Sequence, residues 1–114
     1  MARMDKSTAA ISVNWHRAAV TIQTSTDGPR EFYASVCRGL AVHHTICDGG
    51  LQHEAFWSVT HLASSKVIVP THLERVDAFA FARALLAVGD WTRAEGDIQG
   101  LREGTERVRK EMFG

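Results

Sequence analysis

His43, His44, Cys47 and His53 fall within eleven positions, with Asp48 among them, and His61 follows. Zinc takes neutral imidazole and thiolate in a tetrahedron, so this composition could hold a metal and activate a water. The spacing opposes it. His43 and His44 are adjacent on a strand, so they point to opposite faces and cannot share one ion without distortion. The chain has no Cys-x-x-Cys or His-x-x-x-His pair. The expectation is no metal and no cofactor, with these histidines on surfaces and rims and His44 closing an apolar face. A triad of Ser58, His61 and Asp77 can be assembled, but there is no Gly-x-Ser-x-Gly elbow, and neither cysteine has a nucleophile's setting. Asp48-Gly49-Gly50 lacks the lysine and helix of a phosphate loop. No catalytic residue is assigned, and the chain is read as a non-enzyme.

The aromatic residues suggest other work. Trp15, Phe32, Tyr33, Phe56 and Trp57 fall in strand-like segments, where a single-strand nucleic-acid platform would stack bases. Trp15, Phe32 and Trp57 read as core. Tyr33 and Phe56 have the opposite parity and read as exposed.

Charge narrows the choice. The 114 residues carry thirteen basic and thirteen acidic side chains and no net charge. Phosphate binding needs a basic face, so nucleic acid is disfavoured as a partner. From Glu31 to Pro70 there are five charged residues, and from Thr92 to Gly114 there are ten, five of each sign. The middle of the chain is thus nearly neutral and the C-terminal segment zwitterionic. Two cysteines suit a reducing compartment, and Met1 to Ser7 lacks a signal peptide's apolar core. The longest apolar run, Ala78 to Val88, is broken by Arg83 and too short to span a bilayer. The expectation is a cytoplasmic protein without a membrane partner.

Strands must position the central residues. Ile11, Val13 and Trp15 alternate with polar neighbours, and so do Val20 and Ile22. Thr26-Asp27-Gly28-Pro29 makes a turn. From Phe32 to Ile46 the even positions are apolar except Arg38 and His44. That parity suits one bent strand or, preferably, a hairpin with the three-residue loop Cys37-Arg38-Gly39, pairing Val36 with Leu40 and Ala34 with Val42. A two-residue loop would put Leu40 and Val42 on the face opposite Val36, and is rejected. After a turn at Asp48-Gly49-Gly50, a strand beginning near Ala55 and a return over Lys66 to Val69 make a hairpin turning at Ser64-Ser65. The fold class is therefore α+β: an antiparallel meander of four to six short strands, with two C-terminal helices packed on one face.

Thr71 with Glu74 reads as a capping box opening a helix to Gly89, apolar almost all round from Ala78 onward. Such a helix needs a second cover beyond the sheet, from the C-terminal helix or another chain. Thr92 with Glu95 reads as a second box. Ile98, Leu101, Thr105, Val108 and Met112 form a narrow seam, and Gly96, Gly100 and Gly104 a stripe of close approach. These features assign self-association to Leu85, Leu86, Gly96, Gly100 and Gly104 in a homodimer. The organisation is a flexible N-terminus over 1–10, a sheet-plus-helix domain over 11–91 and an amphipathic helix over 92–114.

The run Trp57-Ser58-Val59-Thr60-His61, turn, Val67-Ile68-Val69, Thr71-x-x-Glu74 and Ala-rich helix resembles the small sheet-plus-helix domains with which phage-type integrases grip arm sites. The resemblance covers about thirty-five residues and is generic. It implies a phage or mobile-element origin more than DNA contact, because this sheet lacks those domains' basic residues. The leading expectation is a small interaction module, of the phage or mobile-element origin that the resemblance implies, binding a host protein through Tyr33, His43, Phe56 and Lys66. A charge-poor, aromatic-bearing surface suits such an interface. A nucleic-acid module using the 55–69 hairpin stands second, and a metal-dependent enzyme using the central histidines third.

Overall fold

The computed structural model describes residues 13–24, 28–47, 52–92 and 98–114. Five antiparallel strands form one sheet in sequence order: β1 (His16–Thr24), β2 (Gly28–Cys37), β3 (Leu40–Ile46), β4 (Gln52–His61) and β5 (Lys66–Leu73). Two helices follow, α1 (Arg75–Leu86) and α2 (Ile98–Phe113). This is the expected α+β meander. The expected strand around Ile11 to Trp15 is not one where it is described: Val13 to Trp15 are irregular, and the first strand starts at His16. Trp15 instead packs its ring edge-on against Phe79 of α1, 5.2 Å away. Ile11 and the 1–10 segment lie outside the described residues.

The β2–β3 hairpin corrects the loop length. Cys37 pairs with Leu40, Val36 with Ala41 and Ser35 with Val42, so only Arg38 and Gly39 turn. Both have positive φ, 49° and 92°, as tight hairpin turns matching strand twist demand. The rejected geometry is adopted because both faces of the sheet are buried here. Leu40 and Val42 point at the helices, while Ala34 and Ala41 point the other way, and all four are sealed from solvent. One buried face would have made parity decisive; two make it silent.

The core lies between the sheet and α1. Cys37, Leu40, Val42 and Val59 meet Ala78, Phe81, Ala82 and Leu85, and Trp91, Leu101 and Val108 close the far side of the helix. The second cover that α1 required therefore comes from α2. Gly104 makes the approach possible, since a Cβ there would sit 2.3 Å from Val88 Cγ1. Gly39 does the same at the other end, where a Cβ would fall 2.3 Å from the Trp91 carbonyl oxygen. Trp91 is then fixed from two sides: its indole N–H donates to the Leu85 carbonyl (2.6 Å), and its own carbonyl accepts from His61 Nε2 (3.0 Å).

The helix starts differ from the expected boxes. Thr71 to Leu73 belong to β5, where Leu73 pairs with Trp57, so α1 begins four residues after Thr71, with Glu74 as an N-cap lacking a side-chain bond. Pairing to the sheet has overridden the capping signal. The helix ends at Leu86. Thr92 bonds Asp90 through both its N–H and its hydroxyl, and Glu95 and Gly96 lie outside the described residues. Among the described residues no helix is long and apolar enough to cross a membrane.

Candidate functional site

Two concavities are built by this framework, one on the sheet face away from the helices and one along its β5 edge. Alternation along β3 and β4 dictates the first. Val42 and Val59 face α1, so their neighbours His43, Ser58 and Thr60 face away, together with Thr45. All four polar side chains are buried, and they line a cavity of about 350 Å³ shared with Ile22 of β1 and with Val67 and His72 of β5. Strands from both ends of the sheet thus contribute to one hollow.

The floor is hydrogen-bonded in two pairs. His43 Nδ1 lies 2.7 Å from the His44 carbonyl, which can only accept, so Nδ1 carries the proton. Nε2 must then accept, and the Thr60 hydroxyl, 2.7 Å away, donates to it. Thr45 and Ser58 hydroxyls bond each other at 2.7 Å. Burial pulls the His43 pKa below its ordinary 6.5; the nearby His44 adds to this and the bond to the His44 carbonyl opposes it. His43 is therefore neutral at pH 7.

Thr60 and His43 have the spacing of a nucleophile and its base. Both are almost wholly enclosed, so the pair reads first as a satisfied floor. His44 turns to the opposite face and lies against Trp57, ring centroids 4.0 Å apart, with its Nδ1 buried and unbonded. Among the described residues no group of three or more His, Cys, Asp or Glu is placed to hold a metal. Cys37 is in the core, while Cys47 lines the cavity.

The second concavity runs along β5, the last strand of the sheet, whose outer edge has no strand partner among the described residues. A groove of about 270 Å³ lies between this edge and α2. Ile68, Trp91 and Leu101 give it an apolar floor, and Lys66, Arg102, Arg109 and Glu106 are its charged members among the described residues. Glu106 is paired with Arg109 at 2.7 Å. Val67 and Val69 are half exposed on the strand itself, at 47% and 49%.

The residues proposed from sequence for a partner surface do not form one patch. Tyr33 is 69% exposed on β2, far along the sheet towards β1, and pairs across with Ala19. His43 was expected on an outer contact face and is instead buried, because the curled sheet encloses its side chain. Phe56 is exposed and its ring meets His53 and His72, at 4.7 and 5.7 Å, on the cavity's rim. Lys66 opens the β5 groove. Of the residues assigned to self-association, Leu85 and Leu86 are buried within the chain, and Gly104 packs against Val88, just beyond the end of α1. Gly100 lies in the first turn of α2, and Gly96 outside the described residues. Sequence reasoning weighed Ser58 only as a triad member with His61 and Asp77, and did not single out Thr45 or Thr60 as site residues. Their signal was the alternation of small hydroxyls with Val59 and His61, which marks a strand buried on both faces. Compared with known proteins, the chain matches no family model, no curated protein and no solved structure.

Proposed function

We propose that the chain is a non-catalytic protein-interaction module that accepts an extended, acidic segment of a partner along the β5 edge. The observation that carries this reading is the groove itself: a strand edge without a strand partner among the described residues, beside a helix, apolar below and bordered by Lys66 and Arg102. Extended segments add to such edges as an extra strand. Main-chain hydrogen bonds supply affinity, and alternate side chains entering pockets supply specificity. Ile68, Trp91 and Leu101 would receive alternate apolar side chains. Among the described residues Lys66 and Arg102 add positive charge beyond the paired Arg109 and Glu106, which favours acidic residues in the partner.

Selection from a random seven-residue peptide library on the immobilised chain tests this. The expected consensus alternates apolar residues with Asp or Glu. Lys66→Glu with Arg102→Glu, both at exposed positions, should weaken the selected peptides by roughly tenfold or more, about 1.4 kcal/mol. Selected peptides indifferent to that double reversal would remove the groove from the account. Preferential binding of single-stranded DNA in the same groove would replace the protein partner with a nucleic acid.

A further inference from the structure

The concave cavity rests on observations independent of the β5 groove. We infer that it is a binding site for a small uncharged molecule with a flat body and both hydrogen-bond donors and acceptors, of carboxamide or nucleobase type. Its size sits at the small end of ligand pockets, which run from about 300 to 1,000 Å³. Among the described residues lining it there is no Asp, Glu, Lys or Arg. An ion entering would lose its hydration without meeting a countercharge, which is costly. Neutral polar groups meet hydroxyl-bearing residues instead: Thr24, Thr45, Ser58, Thr60, Ser65 and Thr71 line the hollow, with the Thr24 hydroxyl donating to the Gly28 carbonyl and the Thr71 hydroxyl bonded to His72 Nδ1.

Hydrogen-bond accounting defines what the floor offers. Thr60 gives its one proton to His43 Nε2, so its oxygen is left as an acceptor. In the Thr45–Ser58 pair one hydroxyl proton is used between them and the other remains to donate. The floor thus leaves one acceptor, on Thr60 of β4, and one donor, on Thr45 of β3 or Ser58 of β4, the complement of an N–H and a carbonyl. The rim supplies a flat contact, since His72 lines the cavity and its ring meets Phe56 and His53. Polar groups this deeply buried are arranged to be satisfied, and a ligand bearing only donors or only acceptors would leave one of them unpaired.

Three isosteric probes separate the charge classes: neutral benzamide, anionic benzoate and cationic benzamidinium, titrated into the isotopically labelled chain at pH 7.5. Benzamide should shift the amide resonances of Thr45, Thr71 and His72, which line this cavity and not the β5 groove, saturably and bind at least about tenfold tighter than either ion. Ser58→Ala should weaken benzamide about threefold or more, while Arg102→Glu, at the separate groove, should leave it unchanged. Benzoate or benzamidinium binding within threefold of benzamide would overturn the inference, as would benzamide shifts confined to the β5 groove or no saturable benzamide binding at all. The charge comparison uses the unsubstituted chain, so a Ser58→Ala variant that failed to fold would not rescue the idea.

Discussion

His43 ties the interior of the sheet to solution pH. Its proton-free Nε2 accepts from Thr60, and burial holds the ring neutral, with a pKa below the ordinary 6.5. In the unfolded chain the same ring takes a proton at about 6.5, so below that pH the unfolded state binds more protons and stability falls. The loss begins as pH drops through 6.5 and levels off once pH has passed the lowered folded value. His43→Gln keeps a carbonyl acceptor for Thr60 but cannot titrate. Its melting temperature should therefore fall less than that of the parent chain between pH 7.5 and 5, and an unchanged pH slope would refute the assignment. Gly39 is a second test at this scale. With φ at 92° and the Trp91 carbonyl where a Cβ would go, Gly39→Ala combines backbone strain with overpacking. Its cost should be on the order of 2–4 kcal/mol in chemical denaturation. A loss below about 0.5 kcal/mol would show that Trp91 is not held against the turn. Exposed Tyr33 and Phe56 were legible from parity alone. The buried hydroxyls were not, because a Ser or Thr on a strand is silent about which side the chain will later curl over.

Among the elements, the sheet-then-helices order, the antiparallel meander and the β4–β5 hairpin could be read from alternation and turn chemistry. What could not be read was wherever tertiary pairing displaced a local signal. Thr71 and Glu74 have capping-box spacing, yet β5 takes Thr71 to Leu73 into the ladder, and Thr71 bonds the adjacent His72 ring at 2.9 Å. The helix α1 gave an accurate warning that one sheet face would not cover it. It left open whether the cover was its own chain, and α2 with Gly104 answers that. Leu85 touches no solvent. Leu85→Glu should consequently unfold the chain, at a cost of several kcal/mol, rather than release a folded monomer. Loss of cooperative thermal unfolding would agree. A folded, stable variant of half the parent's sedimenting mass would instead restore α1 as a dimer surface.

At the level of the whole molecule, zero net charge and a sheet with few basic residues argue against long-range attraction to a polyanion such as nucleic acid. Binding to duplex or single-stranded DNA at physiological salt should be weaker than about 10 μM, within the range of non-specific contact. A tight complex with a steep salt dependence would contradict that. The molecule presents its two concavities on separate parts of one sheet, and the β5 edge carries the proposed activity. Backbone hydrogen exchange of the labelled chain, with and without a selected acidic peptide, tests that claim most directly. Strand addition should slow exchange at the outward-facing amides between Val67 and Val69, where the N–H groups of an edge strand gain partners. It should leave the β1 edge, His16 to Thr24, unchanged. Protection confined to β1, or peptide binding that leaves every β5 amide exchanging as before, would contradict the account.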